Sequence, residues 1–183
     1  LLISIAAGIS ISSLESWAGD DLPIVRAMPN TPALINTGIT ALFANSRVSL
    51  EQRNQAESIM CAVGKVVWIK EETLMDTVTA VSGTGPAYFF YFIEALEQAA
   101  IEEGLDENTA RLLTLETALG AARLAIETTK SPSELRDQVT SPGGTTEAAI
   151  QVLEQVGMSQ ILKTAVTAAR KRSADLANSS GID

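Results

Sequence analysis

The chain has 183 residues, enough for one large domain or two small ones. Hydrophobic residues make up 46% and aromatics only 4%, so a core must be built from Ala, Leu, Ile and Val. A net charge of −9 argues against a nucleic-acid partner, because gripping a phosphate backbone needs clustered Lys and Arg.

Residues 1–70 read as alternating strands and helices. Residues 1–5 are a short apolar run ending in Ala6-Ala7-Gly8, the pattern of a buried parallel strand entering a loop. Residues 24–28 form a second strand, closed off by the prolines of Pro29-Asn30-Thr31-Pro32, and residues 39–43 a third. Helical periodicity covers residues 50–63, and residues 65–69 return as a strand. Cys61, the only cysteine, lies in the apolar part of that helix and is expected to be buried and inert. A lone cysteine allows no internal disulfide or thiolate cluster, and the chain has no histidine, so no metal is expected.

From about residue 71 the pattern becomes helical. Ser82-Gly83-Thr84-Gly85 is expected to break one helix, with Pro86 in the first turn of the next. That next helix sets Phe89, Phe92, Ile93, Leu96 and Ala100 on one stripe, with Glu94 and Glu97 off it. Asp106 is the expected N-cap of a helix running to about Thr128, and Ser131-Pro132-Ser133-Glu134 reads as a capping box. The helix between them is apolar around most of its circumference, through Leu112, Leu113, Leu115, Leu119 and Leu124. Such a helix must be covered on all sides, by its own neighbours or by a second copy of the chain. A last helix is expected over residues 159–178, before a frayed end at residues 179–183. Its basic triplet Arg170-Lys171-Arg172 suits a helix end better than a nucleic acid. No apolar run approaches the ~20 residues of a membrane span, so the protein is expected to be soluble and cytoplasmic.

The most informative stretch is Ser141-Pro142-Gly143-Gly144-Thr145-Thr146, just ahead of a helical run from Glu147 to Glu154. A helix start leaves N–H groups unpaired and carries the positive end of the helix dipole. Two glycines would let a small anion approach those groups, with the Ser141 and Thr146 hydroxyls beside them. From the residues alone, a tight turn capped by Thr145 is the favoured reading.

Residues 134–154 as a whole closely resemble the signature of pyrroline-5-carboxylate reductase. Ala6-Ala7-Gly8, Met28-Pro29-Asn30-Thr31-Pro32 and Ser82-Gly83-Thr84-Gly85-Pro86-Ala87-Tyr88 are similar to segments of the same family in the same order. The resemblance implies an NADPH- or NADH-dependent oxidoreductase that reduces a cyclic imino acid to L-proline, the last step of proline biosynthesis. It implies Thr146 as the catalytic hydroxyl, with Ser141, Gly143, Gly144, Thr145 and Thr146 binding substrate. Ala6, Ala7, Gly8, Pro29, Asn30, Thr31, Ser82, Gly83, Gly85 and Pro86 are its implied cofactor residues.

The expected architecture is α/β plus all-α: a partial Rossmann-like parallel sheet in residues 1–70, then a helical dimerisation and substrate-binding domain in residues 71–183. A homodimer, or an assembly of such dimers, is implied with it. The family carries its glycine fingerprint near the N-terminus, and no G-x-G-x-x-G occurs here. The chain is therefore expected to be the C-terminal part of the enzyme and inactive alone. The choice between NADPH and NADH stays open, because the loop that makes it is expected in the missing part. One alternative is another two-domain dehydrogenase, against which stands the absence of a lysine in the helical half's glycine turns. The other is a non-enzymatic helical dimerisation module.

Overall fold

A computed structural model describes residues 1–19 and 21–179; residues 180–183, most of the expected frayed end, lie outside the described residues. Two compact units divide the chain. One comprises Leu1–Ala87 and the described residues from Lys163 on, and the other Tyr88–Leu162.

The first unit is built on strands β1 (Leu2–Ser4), β2 (Ile24–Met28), β3 (Gly38–Ala44) and β4 (Gly64–Trp68), in that order across one sheet. Helix α1 (Ile11–Ala18) crosses from β1 to β2 and α2 (Leu50–Cys61) from β3 to β4, and both of these strand pairs are parallel. The pair β2–β3 is antiparallel, which makes the sheet mixed rather than purely parallel. The connection explains it. A parallel return takes roughly a dozen residues or more, and only residues 29–37 lie between these strands.

Ser10 caps α1 and Ser49 caps α2, the latter in a reciprocal capping box with Gln52. Strand β2 is buried along nearly its whole length, whereas β4 alternates half-buried and exposed residues, as an edge strand does. Val25, Ala27, Leu42, Ala56 and Met60 form the core between sheet and α2, with Ile3, Val48, Val63, Val66 and Trp68 packed around them. Cys61 is exposed, contrary to expectation. The inward face of α2 is set by Ala56 and Met60, and the next residue along turns ~100° away from it.

After β4 the chain becomes helical in steps: a 3-10 turn (Glu72–Leu74), α3 (Met75–Val78), one π-turn (Thr79–Gly83) and then α4 (Gly85–Glu102). The expected break at residues 82–85 is this π-turn, closed by the Thr84 N–H donating to the Thr79 carbonyl at 2.8 Å. In an uninterrupted α-helix the Pro86 ring would press on the Ser82 carbonyl; the wider turn relieves it. The Glu72 carboxylate ties this segment down, accepting from the buried Arg26 guanidinium and from the Ile11 N–H.

The second unit draws on α4, α5 (Glu107–Glu127), α6 (Pro132–Gln138), α7 (Thr145–Gln155) and the start of α8 (Met158–Ser179). Asp106 caps α5 through the Asn108 and Thr109 N–H groups, and Ser131 with Glu134 forms the capping box of α6, both as the sequence predicts. Those bonds hold the Asp106 carboxyl below the ordinary aspartate range, chiefly through Thr109, and the Glu134 carboxyl below the glutamate range through Ser131. Among its 75 residues only Ala110 and Thr114 are buried. The stripe of α4 is not covered among the described residues: Phe89 is 71% exposed and Phe92 45%. No helix of the described residues is long and apolar enough to cross a membrane.

Candidate active site

Met28 is a hub of the first unit. Its thioether methyl lies 2.4 Å from where a side chain on Gly83 would begin, so the end of β2 meets the π-turn there, and a larger residue at 83 would displace the Met28 side chain. Parallel pairing of Ser4 with Arg26 sends the ends of β1 and β2 to the same sheet edge. Ala6-Ala7-Gly8 and Pro29-Asn30-Thr31 therefore both leave from that edge, with the 82–86 turn joined to it through Met28. Ligands collect at the carboxyl ends of strands in sheets of this kind.

Within this group the residues are differently placed. Gly8 has φ +74° and is buried, with Leu176 and Ala177 of α8 packed against it; Ala6 and Ala7 are exposed. Asp76 and Ser173, hydrogen-bonded at 2.7 Å, anchor that part of α8 to α3. Asn30 uses its side-chain oxygen on the Ile39 N–H at 3.0 Å, which leaves its amide N–H groups as donors. Thr31 is exposed at the start of a 3-10 turn, and Pro29 is half-buried. The Ser82 hydroxyl donates to the Val78 carbonyl at 3.1 Å, so toward a ligand it can only accept. Gly85 is buried, yet nothing lies within 4 Å of the place its side chain would take, and Pro86 is half-buried beside it. Open room at Gly85, exposed small residues at 6–7 and an amide donor at Asn30 are features that fit the flat amide-bearing end of a nicotinamide.

In the second unit, α7 starts on two glycines with different duties. Gly143 has φ +71°, a region where a side chain costs roughly 1–2 kcal/mol. Gly144 is the N-cap, and a side chain there would begin 2.5 Å from the Ser141 Oγ and 3.0 Å from its carbonyl oxygen. Thr145 is not the cap; it is the first residue of the helix, and no side chain caps α7 at all. The Thr145 and Thr146 N–H groups thus sit at positions that have no intrahelical acceptor. The Ser141 and Thr146 hydroxyls make no hydrogen bond among the described residues; Ser141 is exposed and Thr146 half-buried. Free N–H groups, a helix dipole and two free hydroxyls suit a small molecule with a carboxylate and a nitrogen a few ångströms apart.

Sequence reasoning missed Glu147. Its Oε2 accepts from the Gly143 N–H at 2.7 Å, so that donor is already engaged. The signal was there: Glu147 is the third helical residue, from which an acidic side chain reaches back over the cap.

A strand-helix sheet with small residues after β1 is thus followed by a helical unit whose α7 starts on two glycines. Residues 72–176 match the family described as pyrroline-5-carboxylate reductase dimerisation. The chain is 50% identical over 181 residues to a pyrroline-5-carboxylate reductase of Pseudomonas aeruginosa, covering 99% of this chain and 66% of that protein. It is 47% identical to the one of Synechocystis, covering 96% and 65%. Among solved structures it superposes on a Coxiella burnetii pyrroline-5-carboxylate reductase with a TM-score of 0.92 at 50% identity, over 95% of this chain and 64% of that one. A Plasmodium falciparum pyrroline carboxylate reductase with NADP bound gives 0.91 at 34% identity, over 97% and 70%. The chain belongs to the pyrroline-5-carboxylate reductase family, and it spans about two thirds of the length of the curated relatives it matches.

Proposed function

We propose that the protein carrying this chain reduces 1-pyrroline-5-carboxylate to L-proline with NADPH or NADH, and that it does so as a homodimer joined through its helical residues. Residues 1–70 are read as the C-terminal part of a Rossmann-like NAD(P)-binding domain and residues 71–183 as the dimerisation and substrate-binding domain. The observation that carries the reading is the α7 start. An uncapped helix N-terminus with two free hydroxyls lies inside a segment shared with relatives named for this reaction. A cytoplasmic location belongs to the same proposal, and the single free thiol of Cys61 suits a reducing compartment.

The reaction asks the protein mainly to hold and orient. NAD(P)H, when bound, would supply the hydride for the carbon of the protonated imine, whose ring nitrogen would keep its proton as the amine. The Thr145 and Thr146 N–H groups hold the substrate carboxylate, with the Ser141 hydroxyl as a further donor. The Thr146 hydroxyl hydrogen-bonds the ring nitrogen and fixes the face presented to the hydride. Around the nicotinamide, Ala6, Ala7, Gly8, Pro29, Asn30 and Thr31 would line one side. Ser82, Gly83, Gly85 and Pro86 would line the other. No histidine or shifted lysine is required, which agrees with a chain that has no histidine.

The test is Thr146→Ala with Thr146→Ser as its control. Losing one hydrogen bond to a charged partner lowers kcat/KM by roughly ten- to a hundredfold, with NADPH affinity and helix content unchanged. The serine keeps much of the activity. Wild-type kcat/KM in the alanine variant would end the hydroxyl's role.

The dimer reading rests on the second unit's want of a core. Its α5 exposes Leu112, Leu113, Leu119, Leu124 and Ile126 by 51–82%, and leaving such side chains in water forgoes ~1.5–3 kcal/mol each.

A further inference from the structure

We propose that Glu147 is a positioning residue of the substrate-carboxylate seat: its carboxylate braces the Gly143-Gly144 turn and so aims the α7 N–H groups at the ligand. This rests on the reading of the seat given above and adds a residue to it.

The turn has few other ties. Gly144 donates to the Ser141 carbonyl at 3.0 Å, and Thr140 is pinned to the Arg136 carbonyl at 2.7 Å. Between them, Gly143 holds a left-handed conformation that is intrinsically accessible, and the space a side chain would take there is empty to 4 Å. Its one anchor is the 2.7 Å bond from its N–H to Glu147 Oε2. Without that bond the peptide between Pro142 and Gly143 is free to rotate, and the N–H groups that follow lose their common direction. A preorganised set of donors binds an anion without first being ordered; a loose one does not.

Glu147 carries two opposed effects. As an acceptor it orders the seat. As a negative charge at the same helix start it also repels an incoming carboxylate. Substitutions separate the two. Glu147→Ala removes both, whereas Glu147→Gln keeps an oxygen that can accept from Gly143 and removes the charge.

The experiment measures steady-state kinetics on both variants of the intact enzyme, and amide hydrogen exchange over residues 141–149. In Glu147→Ala, KM for the imino acid rises about tenfold, the size of one charge-assisted hydrogen bond. Its kcat and its KM for NADPH stay near wild type, and exchange at residues 143–146 becomes faster. In Glu147→Gln, KM equals or falls below the wild-type value and exchange stays slow. An unchanged KM in the alanine variant overturns the proposal. So does an equal rise in both variants, which would make the charge rather than the bond the important property. An inactive wild type would instead end the functional reading. The exchange arm would still decide whether Glu147 holds the turn, and unaltered exchange in Glu147→Ala would end the brace as well.

Discussion

The two units of this chain draw on the same palette of small aliphatic residues, and they use it in opposite ways. In the sheet unit the apolar residues find each other: Ile24, Val25 and Leu42 have no exposed surface, and α2 closes over Val25 and Leu42. In the helical unit the same residue types stay in water within the chain, with only Ala110 and Thr114 buried. Burial of apolar surface is what stabilises a fold, so the first unit has its own reason to exist and the second needs a covering surface. Hydrophobic patterning says that a face must be covered; it does not say whose surface does it.

The largest expected effect breaks the two units apart. Leu119→Asp puts a charge into the apolar girdle of α5 and is expected to convert the dimer into a monomer with less helix, read by sedimentation and circular dichroism. Leu42→Ala in the sheet should cost ~2–5 kcal/mol in denaturant melts and leave the association state alone. A dimer of undiminished helicity in the Leu119→Asp variant would show that α5 is not the covered surface.

A smaller effect tests the sheet unit's internal wiring. Glu72→Ala leaves the buried Arg26 guanidinium and the Ile11 N–H without their acceptor. Because Glu72 is itself partly exposed, the expected loss is about 1–3 kcal/mol in thermal or urea melts. The dissociation constant of the dimer should not move. If it did, the sheet and the association surface would be coupled.

Within the helical unit, Gly144→Ala forces a methyl group against Ser141. KM for the imino acid should rise severalfold while sedimentation and helix content stay as in wild type. An unchanged KM would mean that the turn yields without moving the donors.

The smallest effect is a pH dependence confined to helix starts. Asp106 and Glu134 have carboxyls held below their ordinary range by the N–H and hydroxyl groups they cap. Their contribution is therefore present above the unfolded-state pKa and is lost as pH falls through the folded value. Helix content should decline at pH below about 4, and Asp106→Asn, which still caps but cannot titrate, should remove the part that belongs to α5. A decline of equal size in that variant would place the effect elsewhere.

Much of this was legible along the chain because it depends on near neighbours. Strand β2 coincides with residues 24–28, and the caps at Asp106 and Ser131 follow from side chains that reach only three residues ahead. The sense of β3 was also written in the chain, in a nine-residue connection too short for a parallel return, but the strands' own residues carry no sign of it. Cys61 was misjudged because an apolar neighbourhood in sequence is not an apolar face on a helix. Glu147 was visible in principle, as an acid at the third helical position, but its partner depends on Gly143 adopting φ +71°.

The sequence by itself determined α2 and the helices from α4 on, the caps at Asp106 and Ser131, the short strands and the glycines at the start of α7, since each answers to local sterics and to hydrogen bonds a few residues long. Only the tertiary structure decided that the Met28 side chain meets the turn at Gly83. It alone brings the ends of β1 and β2 to one edge, and leaves α5 without a cover among the described residues. Those facts rest on which surfaces meet across many residues of separation, where burial and close packing, rather than local preference, set the outcome.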